Sequence, residues 1–180
     1  RALAFQIYEG NGILKRKDVD HIIKLIAKEE RKKLWGLGIK IGRYHVYLPK
    51  MLKPKAVTLR INFWRLFYEI SEETQIPKFG LNFIINSNYN KKFLLICGFE
   101  NFKEFFIRVG ILEKLFINIL EKTKNRKFKI TADMMNLLGC TKENFYKLMG
   151  FMNYKKDKEK DTYIFFGDAN KSNKIKPKKL

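Results

Sequence analysis

Three side chains with binding chemistry recur at every second position in the middle of the chain: Arg43, His45 and Tyr47. A guanidinium can take a phosphate as a fork, an imidazole can donate to a backbone oxygen, and a phenol can stack on a base. With the period of two of a β-strand, the three share one face. That face is expected to meet a polyanion in solvent; the alternative is that it ties the strand to a neighbouring helix. Lys50, Lys53 and Lys55 follow, around Pro49, which ends the strand, and Pro54, which suits the first turn of a helix. Cations at the positive end of a helix are not intrinsically favoured, which argues mildly for an anion there.

Other candidate chemistry is sparse. His21, His45, Cys97 and Cys140 could in principle hold zinc, but their spacings match no finger or ribbon. The plainer reading is two reduced, buried thiols in a cytoplasmic protein. Asp18-Val19-Asp20-His21 imitates a helicase DExH box, yet it lacks the glutamate and the preceding apolar strand. Gly36, Gly38 and Gly42 precede a strand instead of following one, so they are no dinucleotide fingerprint. There is no GxxxxGK[ST] phosphate loop, no convincing carboxylate pair and no nucleophile with a base at readable spacing. The chain by itself is therefore not expected to be an enzyme, and no cofactor or metal is expected in it.

Composition points to a polyanion. Among 180 residues, 38 Lys and Arg oppose 18 Asp and Glu, a formal net charge of +20. A field of that size favours RNA, DNA or an anionic membrane. Thirty of the cations are lysine, and Asn, Ile and Phe are abundant while Ala is scarce, the bias of an AT-rich genome. Part of the charge is assigned to that bias and the rest to nucleic-acid affinity. With 46% hydrophobic and 14% aromatic residues the chain can bury a real core. No apolar run approaches the roughly 20 residues of a membrane span. The chain opens on Arg1 within a helix-like phrase, which suggests a fragment or a cut domain.

The expected fold class is α+β and helix-rich: a helical unit with a short kinked strand, followed by a winged-helix-like unit. Four parts are expected: residues 1–75 as a helical and strand accessory unit, 76–92 as an irregular connection, 93–168 as the winged-helix-like unit, and 169–180 as a basic disordered tail. Leu3 and Ile7 mark a first helix stopped by Gly10-Asn11-Gly12, and Asp18 suits the cap of a second. Val19, Ile22, Ile23, Ile26 and Leu34 form its stripe, with Gly36 as the stop. Within 38–56 the apolar alternation changes phase between Ile41 and Tyr44, which predicts a bulge or kink at Gly42-Arg43. The next helix buries Val57, Ile61, Trp64 and Tyr68 and leaves Arg60 and Arg65 outside. Residues 93–99 read as a buried strand, and 104–109 lean to a hairpin.

From Ile111 the spacing is cleaner. A helical stripe from Ile111 to Leu120 leads to a short strand at 127–130 and a helix capped by Thr131. A turn at Gly139-Cys140 leads to a helix capped by Thr141 that carries Phe145, Leu148, Met149 and Met152. A charged stretch from Lys155 and Lys156 to Asp161 and a strand at 162–166 follow. This is the order of a winged helix-turn-helix with a wing at 155–160. Lys142, Asn144, Tyr146 and Lys147 would form the outer side of its second helix. Such modules serve in nucleic-acid contact or in protein docking.

Three phrases resemble a known family: Arg1-Ala2-Leu3-Ala4-Phe5, then Leu37-Gly38-Ile39-Lys40-Ile41-Gly42 with Tyr44-His45-Val46-Tyr47-Leu48-Pro49 and Leu52-Lys53-Pro54, and finally Leu137-Leu138-Gly139-Cys140. Together they look like the region downstream of the two RecA-like motor domains in DExH-box superfamily-two helicases. The closest group is the bacterial proteins related to the mitochondrial degradosome RNA helicase. The resemblance spans residues 1–154, and departs where Gly110 stands in place of an expected acidic residue. It implies a C-terminal accessory region whose motor domains, with their ATP and magnesium, lie upstream. It also implies single-stranded RNA or DNA and the motor domains as partners. The alternative is a docking module that packs on the motor or a ribonuclease without touching nucleic acid.

Overall fold

Two small antiparallel sheets carry the first part of the chain, each built on a tight hairpin that an earlier strand joins at its edge. The computed structural model describes residues 1–70, 75–85, 89–157 and 162–165. The chain divides into two compact units, Arg1–Phe116 and Ile117–Leu180. The class is α+β and helix-rich, as the sequence predicts. The division falls later than the expected boundary in residues 76–92. The reason is that residues 93–108 complete the core and second sheet of the first unit.

In the first unit, α1 (Ala2–Glu9), β1 (Ile13–Lys15), α2 (Arg16–Leu25) and α3 (Lys28–Gly36) lead into β2 (Lys40–Ile41) and β3 (His45–Tyr47). The sheet order is β1-β3-β2, both pairs antiparallel, with Lys15 opposite His45 and Ile41 opposite Val46. The phase change therefore marks a hairpin turn and not a bulge: Gly42, Arg43 and Tyr44 lie between two strands, and Gly42 N–H donates to His45 O at 2.7 Å. Asp18 sits in the first turn of α2 instead of capping it. The single helix expected across 19–34 is broken at Ile26, whose backbone is extended. Arg31, exposed on α3, donates to the carbonyls of Ile23 at 2.9 Å and Ile26 at 3.1 Å, closing the end of α2. Leu3, Ile7, Val19 and Ile23 pack with Ile39 and Val46 into one core.

A 3-10 turn at Pro49–Leu52 precedes α4 (Pro54–Phe67), with Pro54 at its start as expected. Next come β4 (Phe83–Ile85), α5 (Lys91–Ile96), β5 (Phe99–Phe102), β6 (Phe105–Arg108) and α6 (Val109–Lys122). The second sheet has the order β4-β6-β5. Of residues 93–99, expected as a strand, 93–96 are helical instead: Asn90 caps the segment by accepting from Lys92 N–H at 2.8 Å. The hairpin expected at 104–109 is present, and Phe102 pairs with Phe105. Val57 and Ile61 of α4 pack against Phe93, Leu94, Cys97, Phe99 and Phe106. Arg60 is buried rather than outside, its Nη1 reaching the carbonyls of Asn11 at 3.2 Å and Met51 at 3.3 Å. Tyr68, expected in the core, is exposed. Gly110 lies inside the first turn of α6, so the departure from the family pattern leaves that helix formed.

The second unit begins within α6, at Ile117, and continues with β7 (Lys127–Phe128), α7 (Ala132–Leu138), α8 (Lys142–Phe151), β8 (Tyr154–Lys156) and β9 (Tyr163–Phe165). Its antiparallel sheet has the order β7-β9-β8. Helix, strand, two helices and two strands closing on the first strand is the winged-helix arrangement that the sequence predicts. Gly139 ends α7 in the left-handed region at φ 69°, which a side chain rarely adopts. Thr141 caps α8, its hydroxyl accepting from Asn144 N–H at 3.4 Å. Thr131 does not cap α7 through its side chain; its hydroxyl accepts from Lys122 Nζ at 2.8 Å. The core holds Phe128, Met134, Leu138, Phe145, Leu148, Met149, Met152, Tyr154 and Tyr163. Residues 158–161 of the expected wing and 169–180 of the expected tail lie outside the described residues.

The two faces of α4 give opposite expectations. Ile61→Ala removes a wholly buried side chain and should cost about 3 kcal/mol. Phe63→Ala, on the exposed side, should stay within about 0.5 kcal/mol of the parent protein. Denaturant unfolding of the two variants measures both.

Candidate nucleic-acid interface

The ribbon face that carries His45 and Tyr47 is not a solvent face. β3 is the middle strand of its sheet and is covered on both sides. Val46 faces the α1 and α2 core, while Tyr47 packs with Ile13, Val109 and Leu52. His45 is 0% exposed and Tyr47 is buried. Arg43 is exposed, but it belongs to the turn: its guanidinium lies over the Phe116 ring at 5.7 Å. The alternation correctly put His45 and Tyr47 on one side. That side meets protein, so these two are withdrawn as nucleic-acid contacts.

What the strand meets is a chain of charges, buried except at its lysine end. His45 Nε2 lies 2.6 Å from Glu100 Oε2, and Lys15 Nζ lies 2.9 Å from Glu100 Oε1. On its other side His45 Nδ1 is 3.5 Å from Glu113 Oε1. The Glu113 carboxylate accepts three backbone N–H groups of the turn, from Arg43 at 2.6 Å, Tyr44 at 2.8 Å and His45 at 2.9 Å. Consecutive amides converging on one point form a small anion-binding concavity, and here an internal carboxylate fills it. Gly42 is the residue that permits this, because a Cβ there would fall on the Glu113 carboxyl group. Arg16 secures the turn from the other side, its Nη1 donating to Gly42 O at 2.7 Å and its N–H to Tyr44 O at 2.8 Å.

Charge state follows from this geometry. Burial alone would lower the pKa of His45, but the hydrogen bond to Glu100 and the second carboxylate of Glu113 outweigh it and raise the imidazole above its ordinary value. Glu100 is pushed up by burial and drawn down further by His45 and Lys15, so it ends below the usual carboxylate value. Tyr47 is raised by burial and by Glu113 and stays a neutral phenol. The thiols are equally quiet: burial pushes Cys97 up to about 12 and Cys140 up to about 11, which keeps both protonated and poorly nucleophilic. Arg60 is lowered to about 10 by burial and remains a cation at neutral pH. Among the described residues, no group of three or more His, Cys, Asp and Glu side chains is placed to hold a metal ion, and no helix is long and apolar enough to cross a membrane.

The remaining candidates are on the surface. Lys50, Lys53 and Lys55 are exposed around the start of α4. In the second unit, Lys142 and Lys147 are exposed on α8, whose inner side supplies Phe145, Leu148 and Met149 to the core. Lys142 Nζ lies over the Tyr146 ring at 5.7 Å, and that ring stacks on Tyr163 at 6.1 Å. Tyr146 is therefore a support for the lysine and not an open platform. Asn144 is half-buried at the capped end of the helix. Lys155 and Lys156 are exposed on β8. The carboxylates of Glu100 and Glu113 escaped the sequence reading because the residues they bond lie 55 to 85 positions away. No protein-family model, curated protein or solved structure matches the chain.

Two measurements check the buried charges. The stabilisation from His45 is complete below its unfolded pKa near 6.5 and is lost as pH rises through its higher folded value. That from Glu100 is complete above its unfolded value of 4.5 and is lost as pH falls through its lower folded value. Stability from this pair should therefore peak between about 4.5 and 6.5 in a series of denaturant melts, and His45→Gln should flatten the alkaline limb. Separately, Gly42→Ala should cost about 2 kcal/mol or more, since displacing Glu113 strands three inward N–H groups.

Proposed function

We propose that the chain is a non-catalytic, nucleic-acid-binding accessory region of an ATP-dependent helicase, gripping single-stranded RNA or DNA by its phosphates through the winged-helix unit. The observation that carries the reading is the division of labour in α8 and β8. Their apolar residues fill the core, while Lys142, Lys147, Lys155 and Lys156 stand outward. Point charges on flexible stems suit a ligand whose charge repeats along its length and whose sequence is not being read. The net charge of +20 strengthens the field around them. The helicase assignment rests on the three sequence phrases that resemble the degradosome-helicase group. ATP and magnesium would bind motor domains outside this chain, and strand separation would be their work.

A second reading, a module that docks on motor domains or on a ribonuclease, is favoured by a different observation: α4 shows a broad apolar face to solvent.

Fluorescence anisotropy with a labelled single-stranded oligonucleotide tests the first reading. If all four lysines meet phosphates, log affinity should fall with log salt at a slope of about −3. Lys142→Glu with Lys147→Glu should weaken binding by at least about tenfold and make the slope shallower by about 1.4. Absence of binding at low salt would sink it.

A further inference from the structure

Helix α4 is apolar on two opposite sides. Val57, Ile61 and Trp64 form the inner stripe, packed on α5 and the second sheet. Leu59, Phe63, Leu66 and Phe67 form an outer stripe at spacings of four, three and one, the pattern by which one helix face meets another helix. They are 55%, 60%, 77% and 79% exposed. An exposed apolar patch of this extent on one element marks an interaction surface. A shallow groove of about 430 Å³ runs beside the stripe, lined by Asn62, Arg65, Leu66, Glu69 and Ile70. At the foot of the helix stand the exposed cations Lys50, Lys53 and Lys55, on the end where the helix dipole disfavours positive charge. They want an anionic neighbour.

We propose that the outer face of α4 docks an acidic amphipathic helix of a partner protein. Its apolar side would lie along Leu59, Phe63, Leu66 and Phe67, and its carboxylates would meet the lysines at the start of α4. Two other occupants fit less well. A second copy of the chain carries the same net charge of +20 and is repelled. A nucleic acid would satisfy the lysines and could stack on Phe63 and Phe67, but Leu59 and Leu66 beside them offer it no ring and would stay exposed. The surface belongs to the first unit and shares no residue with the lysines proposed to grip phosphate. It deepens the docking reading and can fail without it, or without the nucleic-acid reading.

The probe is a labelled amphipathic peptide of about five helical turns, with leucines on one side and glutamates on its flanks. Its controls are the same residues in scrambled order and a version with lysine in place of glutamate. Anisotropy with the full chain at physiological salt should show the acidic helix binding at least about tenfold more tightly than either control. Phe63→Ser with Leu66→Ser should abolish that preference, as truncating two central anchors does. The unfolding midpoint and the oligonucleotide affinity should stay unchanged, because both positions are exposed. Equal binding of the scrambled peptide, or no binding of any peptide, overturns the proposal. So does a concentration-dependent dimer that the double substitution dissolves, or a loss of oligonucleotide affinity in that variant.

Discussion

The first unit depends on one carboxylate. Glu113, on α6, closes the turn between β2 and β3 by accepting the N–H groups of Arg43, Tyr44 and His45. A tight turn whose amides point inward must find an acceptor, since buried backbone donors left unpaired are costly. The anion in turn needs a cation, and the imidazole of His45 lies 3.5 Å away. Glu100 on the other side of the ring helps hold the imidazole's pKa above its ordinary value, and Lys15 balances Glu100. Four distant stretches of chain are thus pinned by a single alternating row of charges. Charges buried in this way are tolerable only when each is paired and hydrogen-bonded, and removing one member strands its neighbour.

This arrangement explains why the residues with the most suggestive chemistry do so little of it toward solvent. An imidazole between two carboxylates looks like acid-base machinery, but His45 has no exposed surface, and both neighbouring acids are buried. Tyr47, Cys97 and Cys140 are held in their neutral forms by burial. The outward chemistry of the protein is of two plainer kinds, the lysines of α8 and β8 and the apolar outer stripe of α4. Both are surfaces for binding, the one for repeated negative charge and the other for another helix.

The second unit was legible because its signals are local. Phe145, Leu148, Met149 and Met152 announce a helix by spacing alone, Thr141 supplies the cap, and Gly139 supplies the left-handed turn. The first unit was harder. Phe93-Leu94-Leu95-Ile96-Cys97 is a short continuous apolar run, which periodicity cannot assign to helix or strand; the Asn90 cap decided it for helix. The phase change near Gly42 was real, but two devices produce one, an inserted residue and a reversal of the chain. Only the pairing of Ile41 with Val46 separates them.

By itself the sequence determined the class, the order of elements in the winged-helix unit, the two prolines that bracket the start of α4, and the shared side of His45 and Tyr47. Tertiary structure alone decided what that side would face. Whether a strand surface meets water or protein depends on what packs over it. The groups covering β3 come from β5 and α6, more than fifty residues further along. Spacing within a segment records its own periodicity and says nothing of such distant neighbours. The same holds for Arg60, whose partners at Asn11 and Met51 drew it inside, and for Phe63, which the same helix left outside.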